Sequence, residues 1–402
     1  MSKWPTTALG EVAAFIRGVT FKPADVVPPD TVGSVSCMRT KNVQEHLDLS
    51  DVWAIDTVHV KRVEQYLKKG DLLVSSANSW NLVGKCSWVP ELERRSTFGG
   101  FVTVLRPNED KVDPRFLYRF FSSDRTQATA RSFSRQTTNI SNLDLKRCAA
   151  MPILLPPLAE QRRIAAILDH ADALRAKRRE ALARLDELTQ SIFVEMFGEP
   201  STNPRGWPVQ TMDELCMGNF RNGLSPSSRG TVHANVLTLS AVTGTEFDST
   251  AVKVATFKTT PPPEQSVDER DLLICRGNGN LNLVGKGYFA PRSLPDTTFP
   301  DTIIAARVDA TSCSRAYIQA LWNTRAVRMQ LESAARTTNG TYKINQGSLG
   351  SIKLPIPPSE HQTQFAGRIA GIEGLRKGHR QALSALDALF ASLQSRAFRG
   401  EL

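Results

Sequence analysis

Paired cysteines are missing from this chain of 402 residues. Cys37, Cys86, Cys148, Cys216, Cys275 and Cys313 stand apart with no CxxC spacing, and the six histidines form no HExxH or similar ligand pair. Neither a zinc site nor a disulfide framework is readable, so the cysteines are expected as small buried apolar residues. Long hydrophobic runs are also missing. No apolar stretch nears the ~20 residues of a membrane span, and Met1-Ser2-Lys3-Trp4-Pro5 lacks the apolar centre of a signal peptide, so the cytoplasm is the expected compartment. With 41% apolar residues, 22% charged and a mean hydropathy of −0.26, the composition is that of a globular chain and excludes collagen-like or disordered classes.

Catalytic signatures are equally scarce. Asn81-Leu82-Val83-Gly84-Lys85 and Asn282-Leu283-Val284-Gly285-Lys286 suggest a phosphate loop, but Cys86 and Gly287 follow the lysines where Ser or Thr is required. A turn glycine between two strands is the better reading, with the lysine left as a phosphate contact. Pro300-Asp301 has no following Glu-x-Lys or Asp-x-Lys to complete a nuclease metal site, and reads as a turn entering a strand. No Asn-Pro-Pro or Asp-Pro-Pro followed by an aromatic is present to hold a base amine, nor a glycine-rich loop for S-adenosylmethionine.

What is present is a duplication. Shifting the chain by about 200 residues aligns Trp4-Pro5 with Trp207-Pro208, Asp71-Leu72-Leu73 with Asp271-Leu272-Leu273, and the two NLVGK segments with each other. Phe98 and Arg106 fall on Phe299 and Arg307, Thr137-Thr138-Asn139 on Thr337-Thr338-Asn339, and Pro156-Pro157 on Pro357-Pro358. Each half opens with a Pro- and Gly-punctuated stretch of short apolar runs, read as an α/β or α+β domain (residues 1–157 and 199–358).

After each Pro-Pro pair the pattern changes to heptads, over 158–198 and 359–402. In the first helix Ile164, Ala171, Arg178, Leu185 and Ile192 share one position, and Ile167, Leu174, Ala181 and Leu188 the other. In the second, Phe365, Ile372, His379, Leu386 and Leu393 share the first, and Leu375, Ala382 and Leu389 the second. Helices of ~40 residues at ~1.5 Å per residue are rods of about 60 Å, too long for a lone domain, so they are expected to pair. Sequence admits either direction; antiparallel is favoured because it gives the duplicated chain a pseudo-two-fold axis. Arg178 and His379 then meet at one level, read either as a polar layer that fixes register or as an arginine that reaches out to solvent beside a histidine with no such role. Gly367, Gly371, Gly374 and Gly378 place a glycine face beside the second seam, read either as a close approach for a partner helix or as tolerated drift.

Lys plus Arg exceed Asp plus Glu by 10, and the pI is near 9.4. The helices carry only +2 of that excess, so any polyanion surface belongs to the two domains. Their loops combine Arg with Asn, Gln and Thr, the side chains that bind phosphates and read base edges. In the first domain these are Arg39, Lys41 and Asn42; Lys85; Arg94 and Arg95; Arg131; and Arg135 with Thr137 and Asn139. In the second they are Arg276, Asn278 and Asn280; Lys286; Arg336 with Asn339; and Lys343.

The order of domain, helix, domain, helix resembles the specificity subunits of type I restriction-modification systems. The resemblance is carried by Thr138-Asn139-Ile140-Ser141, Leu154-Leu155-Pro156-Pro157-Leu158-Ala159-Glu160-Gln161-Arg162-Arg163-Ile164, Phe193-Val194-Glu195-Met196-Phe197-Gly198 and Arg396-Ala397-Phe398-Arg399-Gly400-Glu401-Leu402. The second copy departs from it at Pro357-Pro358-Ser359-Glu360-His361-Gln362. The resemblance implies two target recognition domains, each reading half of a split DNA sequence, with an antiparallel helical pair setting their spacing. It further implies two adenine methyltransferase subunits and restriction motor subunits as partners, with S-adenosylmethionine held by the methyltransferase and no catalytic group on this chain. The rival expectations are a stand-alone nuclease or methyltransferase, and a coiled-coil adaptor that binds only protein.

Overall fold

The computed structural model describes residues 4–136, 140–338 and 340–402. The two long helices run from Leu158 to Phe197 and from Ser359 to Ala397. The compact units do not end where these helices begin. One unit joins the chain up to Arg179 with Gln381–Leu402, and the other is Glu180–Arg380, so each unit contains one part of each helix.

In the first unit a four-stranded antiparallel sheet is ordered Ala13–Arg17, Val102–Pro107, Leu72–Ser75, Cys86–Trp88. Its second sheet is Val26–Val27, Trp53–Asp56, Ser34–Met38, Ser96–Phe98, the last pair parallel. The second unit repeats the first sheet with Arg221–Asn222, Ile303–Arg307, Asp271–Cys275 and Gly287–Phe289. Its second sheet differs at the edge: Ser266–Val267 pairs with Leu294–Thr298, whereas Val26–Val27 of the first unit pairs with Trp53–Asp56. The apolar runs that marked these strands in sequence are fully buried at Leu72–Ser75 and Asp271–Cys275.

The repeated Asp and Arg are a buried ion pair. Arg106 donates from Nε and Nη2 to Asp71 at 2.7 and 2.6 Å, and Arg307 donates to Asp271 at 2.8 and 3.1 Å. Asp71 is 1% exposed and Asp271 0%, so each carboxylate depends on its cation. Asp271 has a second cation, Arg221. The glycines just after the first strand of each of these sheets, Gly18 and Gly223, pass so close to the carbonyls of Gly99 and Pro300 that a Cβ would collide with them. Neither had stood out as part of the repeat.

Each helix is locked at its start by a glutamine. Buried Gln161 accepts from the Asp113 N–H at 2.7 Å and donates to the Pro156 carbonyl at 2.8 Å. Gln362 accepts from the Ser314 N–H at 2.7 Å and donates to Pro357 at 2.8 Å. Asp113 and Ser314 are the caps of the helices Pro114–Phe121 and Arg315–Trp322, so one side chain ties the domain to its rod. The two units then diverge. In the first, Arg115 and Arg119 bind Asp169 at 2.6 and 2.7 Å, and Arg119 binds Asp172 at 2.9 Å. In the second, rings do this work: Phe193 and Phe197 pack with Tyr317, the Phe193 and Tyr317 centroids 5.5 Å apart, and Phe365 packs on both phenylalanines.

The helical parts are antiparallel within each unit. Arg175 reaches Asp387 at 2.6 Å in the first, and Arg376 reaches Asp186 at 2.7 Å in the second. These two pairs are equivalent across the repeat. Arg376 also donates to Thr189 Oγ1 at 2.9 Å and to the Leu185 carbonyl.

The seam contains Ile164, Ala171, Leu185 and Ile192 from the first helix, and Phe365, Ile372, Leu386 and Leu393 from the second, all buried or half-buried. Its second row lies four residues on, not three: Leu168, Arg175, Leu182, Thr189 and Met196, matched by Ile369, Arg376, Leu383, Phe390 and Ala397. Leu174, Leu188, Leu375 and Leu389, expected in the seam, are exposed, and Ile167 is half-buried. The heptad period is the same for both rows, and leucines on the outer row outvoted the arginines and threonine of the inner one. Arg178 is exposed and His379 half-buried; the cations that enter the seam are Arg175 and Arg376, one turn away. The glycine face opens to space, with no atom within 4 Å of a Cβ at Gly367, Gly371, Gly374 or Gly378.

Candidate nucleic-acid interface

The NLVGK turn is a backbone clasp. Gly84 has φ 83° and Gly285 φ 80°, a left-handed conformation that requires glycine. The Gly84 N–H donates to the Ser75 carbonyl and the Ser75 N–H to Lys85, and Gly285, Cys275 and Lys286 repeat the pattern, each bond at 2.7–2.8 Å. This clasp ends the central strand and starts a small third sheet. In the first unit that sheet is Arg135–Gln136, Ser141–Asn142, Ala77–Asn78; in the second it is Arg336–Thr338, Thr341–Lys343, Gly277–Asn278.

The small sheet gathers several of the expected contact residues. Arg135 is 86% exposed and stands 3.5 Å from Asp144. The Asp144 carboxyl lies below its ordinary range, chiefly because it accepts the Arg147 N–H at the start of a short helix. Arg131 reaches the Asn81 carbonyl beside the same sheet. In the second unit Arg336 pairs with Lys343, and Asn278 with Tyr342. Asn278 and Asn280 form successive turns, accepting from the N–H groups of Asn280 and Asn282. Arg276 donates to the Asp301 carbonyl at 3.2 Å. Thr137, Asn139 and Asn339 lie outside the described residues.

Other expected residues have structural partners elsewhere. Asn42 is fully buried, accepting from the Arg39 N–H and donating to the Asp48 and Asp51 carbonyls. Arg39 lies over Trp53 at 3.9 Å and binds Asp51, which also takes Lys41 at 2.6 Å. Arg95 covers Tyr66 at 3.6 Å, and Arg94 reaches the Pro29 carbonyl at 3.0 Å. Lys85 binds Gln44 Oε1 at 2.6 Å, and Lys286 the carbonyls of Thr243 and Gly244 at 3.3 and 3.2 Å. The loops they hold carry Glu45 and Glu246, which bind Arg179 and Arg380 of the long helices. Lys85, Glu45 and Arg179 are equivalent across the repeat to Lys286, Glu246 and Arg380, and of these six only Lys85 and Lys286 carry a signal in the sequence.

Other residues on or beside the small sheets, not singled out from sequence, are Asn78, Trp80 and Phe101 in the first unit and Tyr342 in the second. Phe101 had a visible signal, a large apolar residue directly after Gly99-Gly100, and Asn339-Gly340 is a hairpin dipeptide between strand-like runs.

Among the described residues no group of His, Cys, Asp and Glu is arranged to hold a metal, and no helix is long and apolar enough to cross a membrane. Burial pushes the thiols of Cys37, Cys86, Cys148, Cys216 and Cys313 up to about 12, and that of Cys275 up to about 11, far from the state of a nucleophile.

Two copies of one sheet-rich domain, each clasped to a long helix and each presenting a small polar sheet, make a duplicated recognition scaffold. Residues 1–184 match the family profile described as type I restriction modification DNA specificity domain. The chain is 25% identical over 418 residues to the type I restriction enzyme EcoKI specificity subunit of Escherichia coli K12, covering 99% of this chain and 89% of that one. It is 25% identical over 419 residues to the StySPI specificity subunit of Salmonella potsdam, with the same shares. Among solved structures, the type I restriction-modification system S subunit from M. genitalium has the same fold, with a TM-score of 0.55 at 13% identity over 99% of this chain and 96% of that one. Over its first 184 residues the chain matches the type I restriction modification DNA specificity domain, and along nearly its whole length it is similar to specificity subunits of type I restriction-modification systems.

Proposed function

We propose that this chain reads a bipartite DNA sequence through its two small sheets, one half-site per domain, and works without catalytic groups of its own. The observation that carries this is the repetition of the clasp and small sheet, with Arg135 and Asn78 in one unit and Arg336, Lys343 and Asn278 in the other. Arginine and asparagine at strand edges supply the donor pairs that read guanine and adenine, and the domains hold most of the positive charge.

The partners in this reading are two methyltransferase subunits, which hold the S-adenosylmethionine, and restriction motor subunits; the complex works in the cytoplasm. The outer helix rows support two like partners. Exposed Leu174 and Leu389 belong to the first unit, and exposed Leu188 and Leu375 to the second, so each unit offers an equivalent apolar row. The open glycine face adds a second row that a partner helix can approach closely in the second unit.

The test is to purify the chain with its co-expressed methyltransferase subunits and map the adenines it methylates. Replacing residues 1–157 by those of a relative is expected to change one half of the methylated sequence only. A change in both halves refutes separate reading. Methylation or cleavage of DNA by the purified chain alone would establish the enzyme reading instead, and assembly without salt-dependent DNA binding would establish a protein-only adaptor.

A further inference from the structure

The first unit's small sheet carries an apolar crest that the second unit lacks. Phe101 is 65% exposed, Trp80 45% and Leu82 44%. Backbone bonds place them together: the Ser76 and Ala77 N–H groups both donate to the Phe101 carbonyl, and Ala77–Asn78 leads directly into the Ser79–Leu82 turn that holds Trp80. Ile140, 44% exposed, enters the strand Ser141–Asn142 that pairs with Ala77–Asn78. The described segments 75–85, 98–105, 131–136 and 140–143 that build this face contain Lys85, Arg131 and Arg135 and no Asp or Glu; the carboxylate next to them is Asp144.

In the second unit the matching backbone bond runs from the Arg276 N–H to the Thr302 carbonyl, so Thr302 stands where Phe101 does. Leu281 replaces Trp80 and is half-buried, and half-buried Thr341 replaces Ile140. The scaffold is conserved between the halves while the crest is not. A side-chain difference of this kind on a common frame alters what is contacted and leaves the fold intact.

We propose that the Phe101 and Trp80 crest contacts thymine methyl groups in the half-site read by the first domain. The inference rests on the DNA reading above. A rim whose cations Lys85, Arg131 and Arg135 outnumber its one carboxylate, Asp144, favours a polyanion, and the thymine C5-methyl is the apolar group that duplex DNA presents on a base edge in the major groove. The second domain, with Thr302 and Thr341 at the corresponding places, reads its half-site by hydrogen bonds from Asn278, Arg336 and Lys343.

The experiment uses the chain in complex with its methyltransferase subunits, and synthetic duplexes carrying the mapped target with deoxyuridine in place of thymine, one half-site at a time. Uracil keeps every hydrogen-bonding group and removes only the methyl. In the first half-site the substitution is expected to weaken binding about fourfold per methyl contacted, the worth of about one buried carbon; in the second it has no effect. Phe101→Ala weakens binding to the thymine duplex and erases the thymine-uracil difference, while Phe101→Leu retains it. An unchanged thymine-uracil difference in Phe101→Ala and Trp80→Ala overturns the proposal, as does equal weakening of both duplexes. Loss of assembly with DNA binding intact assigns the crest to a protein partner and also overturns it. A wild-type complex that binds no DNA refutes the DNA reading itself, which none of these outcomes does.

Discussion

Replacing Arg106 by methionine separates the two units energetically. The substitution keeps most of the side-chain volume and strips the 1%-exposed Asp71 carboxylate of both charge-assisted bonds, leaving it the Lys68 N–H at 2.8 Å. Breaking one partner from a buried pair costs about 3–5 kcal/mol, because the remaining charge stays desolvated. The same change at Arg307 leaves Asp271 in contact with Arg221, so it costs closer to the ~1.5–3 kcal/mol of a hydrogen bond to a charged group. Amide hydrogen exchange reads this strand by strand. In Arg106→Met the amides of Leu72–Ser75 should exchange about 100- to 1000-fold or more faster, at ~1.4 kcal/mol per decade, with Asp271–Cys275 unchanged as an internal control. In Arg307→Met, Asp271–Cys275 should accelerate less, by about 10- to 100-fold. Equal acceleration in the two variants would refute the assignment of Arg221 as a second guarantor of the Asp271 charge.

Gln161→Leu should loosen the first domain from its helix, since it orphans the Asp113 N–H and the Pro156 carbonyl; a loss of about 2–4 kcal/mol in local stability is expected, and faster exchange at Phe116 and Leu117 would show it. Acid should act on the first unit's helix Pro114–Phe121 before its counterpart Arg315–Trp322. Burial raises the Asp169 carboxyl, but Arg115 and Arg119 outweigh it and hold the group below its ordinary value. The stabilisation it gives is complete above about pH 4 and is lost as pH falls through the depressed value. Exchange measured at decreasing pH should therefore show Pro114–Phe121 loosening before Arg315–Trp322, which is anchored by rings.

The duplication was legible because the residues that repeat are those the backbone cannot replace: the left-handed glycines Gly84 and Gly285, the buried Asp-Arg pairs, and the prolines at the helix starts. The helices were legible to the residue at their starts, Leu158 and Ser359. The seam's second row was not, because period alone leaves two candidate rows and apolar counting chose the one with more leucine. Contact residues were harder still. Arg39, Asn42, Lys85 and Lys286 have the right chemistry for nucleic acid, yet their partners are set by non-local packing, such as Lys85 on Gln44, that no local pattern records. Phe101 escaped for the opposite reason, since a phenylalanine before a strand reads as core until the strand's own direction is known.

The way each helix is divided between units has a consequence for how the chain is made. Glu180–Arg380 is one uninterrupted stretch and is available for folding as soon as it leaves the ribosome, whereas the other unit waits for the last residues to be synthesised. Arg175 meets Asp387 across 212 positions of sequence, and Phe116 and Phe120 wait for Phe398. Such late, long-range closure is slow and leaves apolar surface uncovered during translation. A premature stop just before Gln381 would therefore damage the amino-terminal domain, nearly the whole chain away from the lesion, and spare the domain beside it.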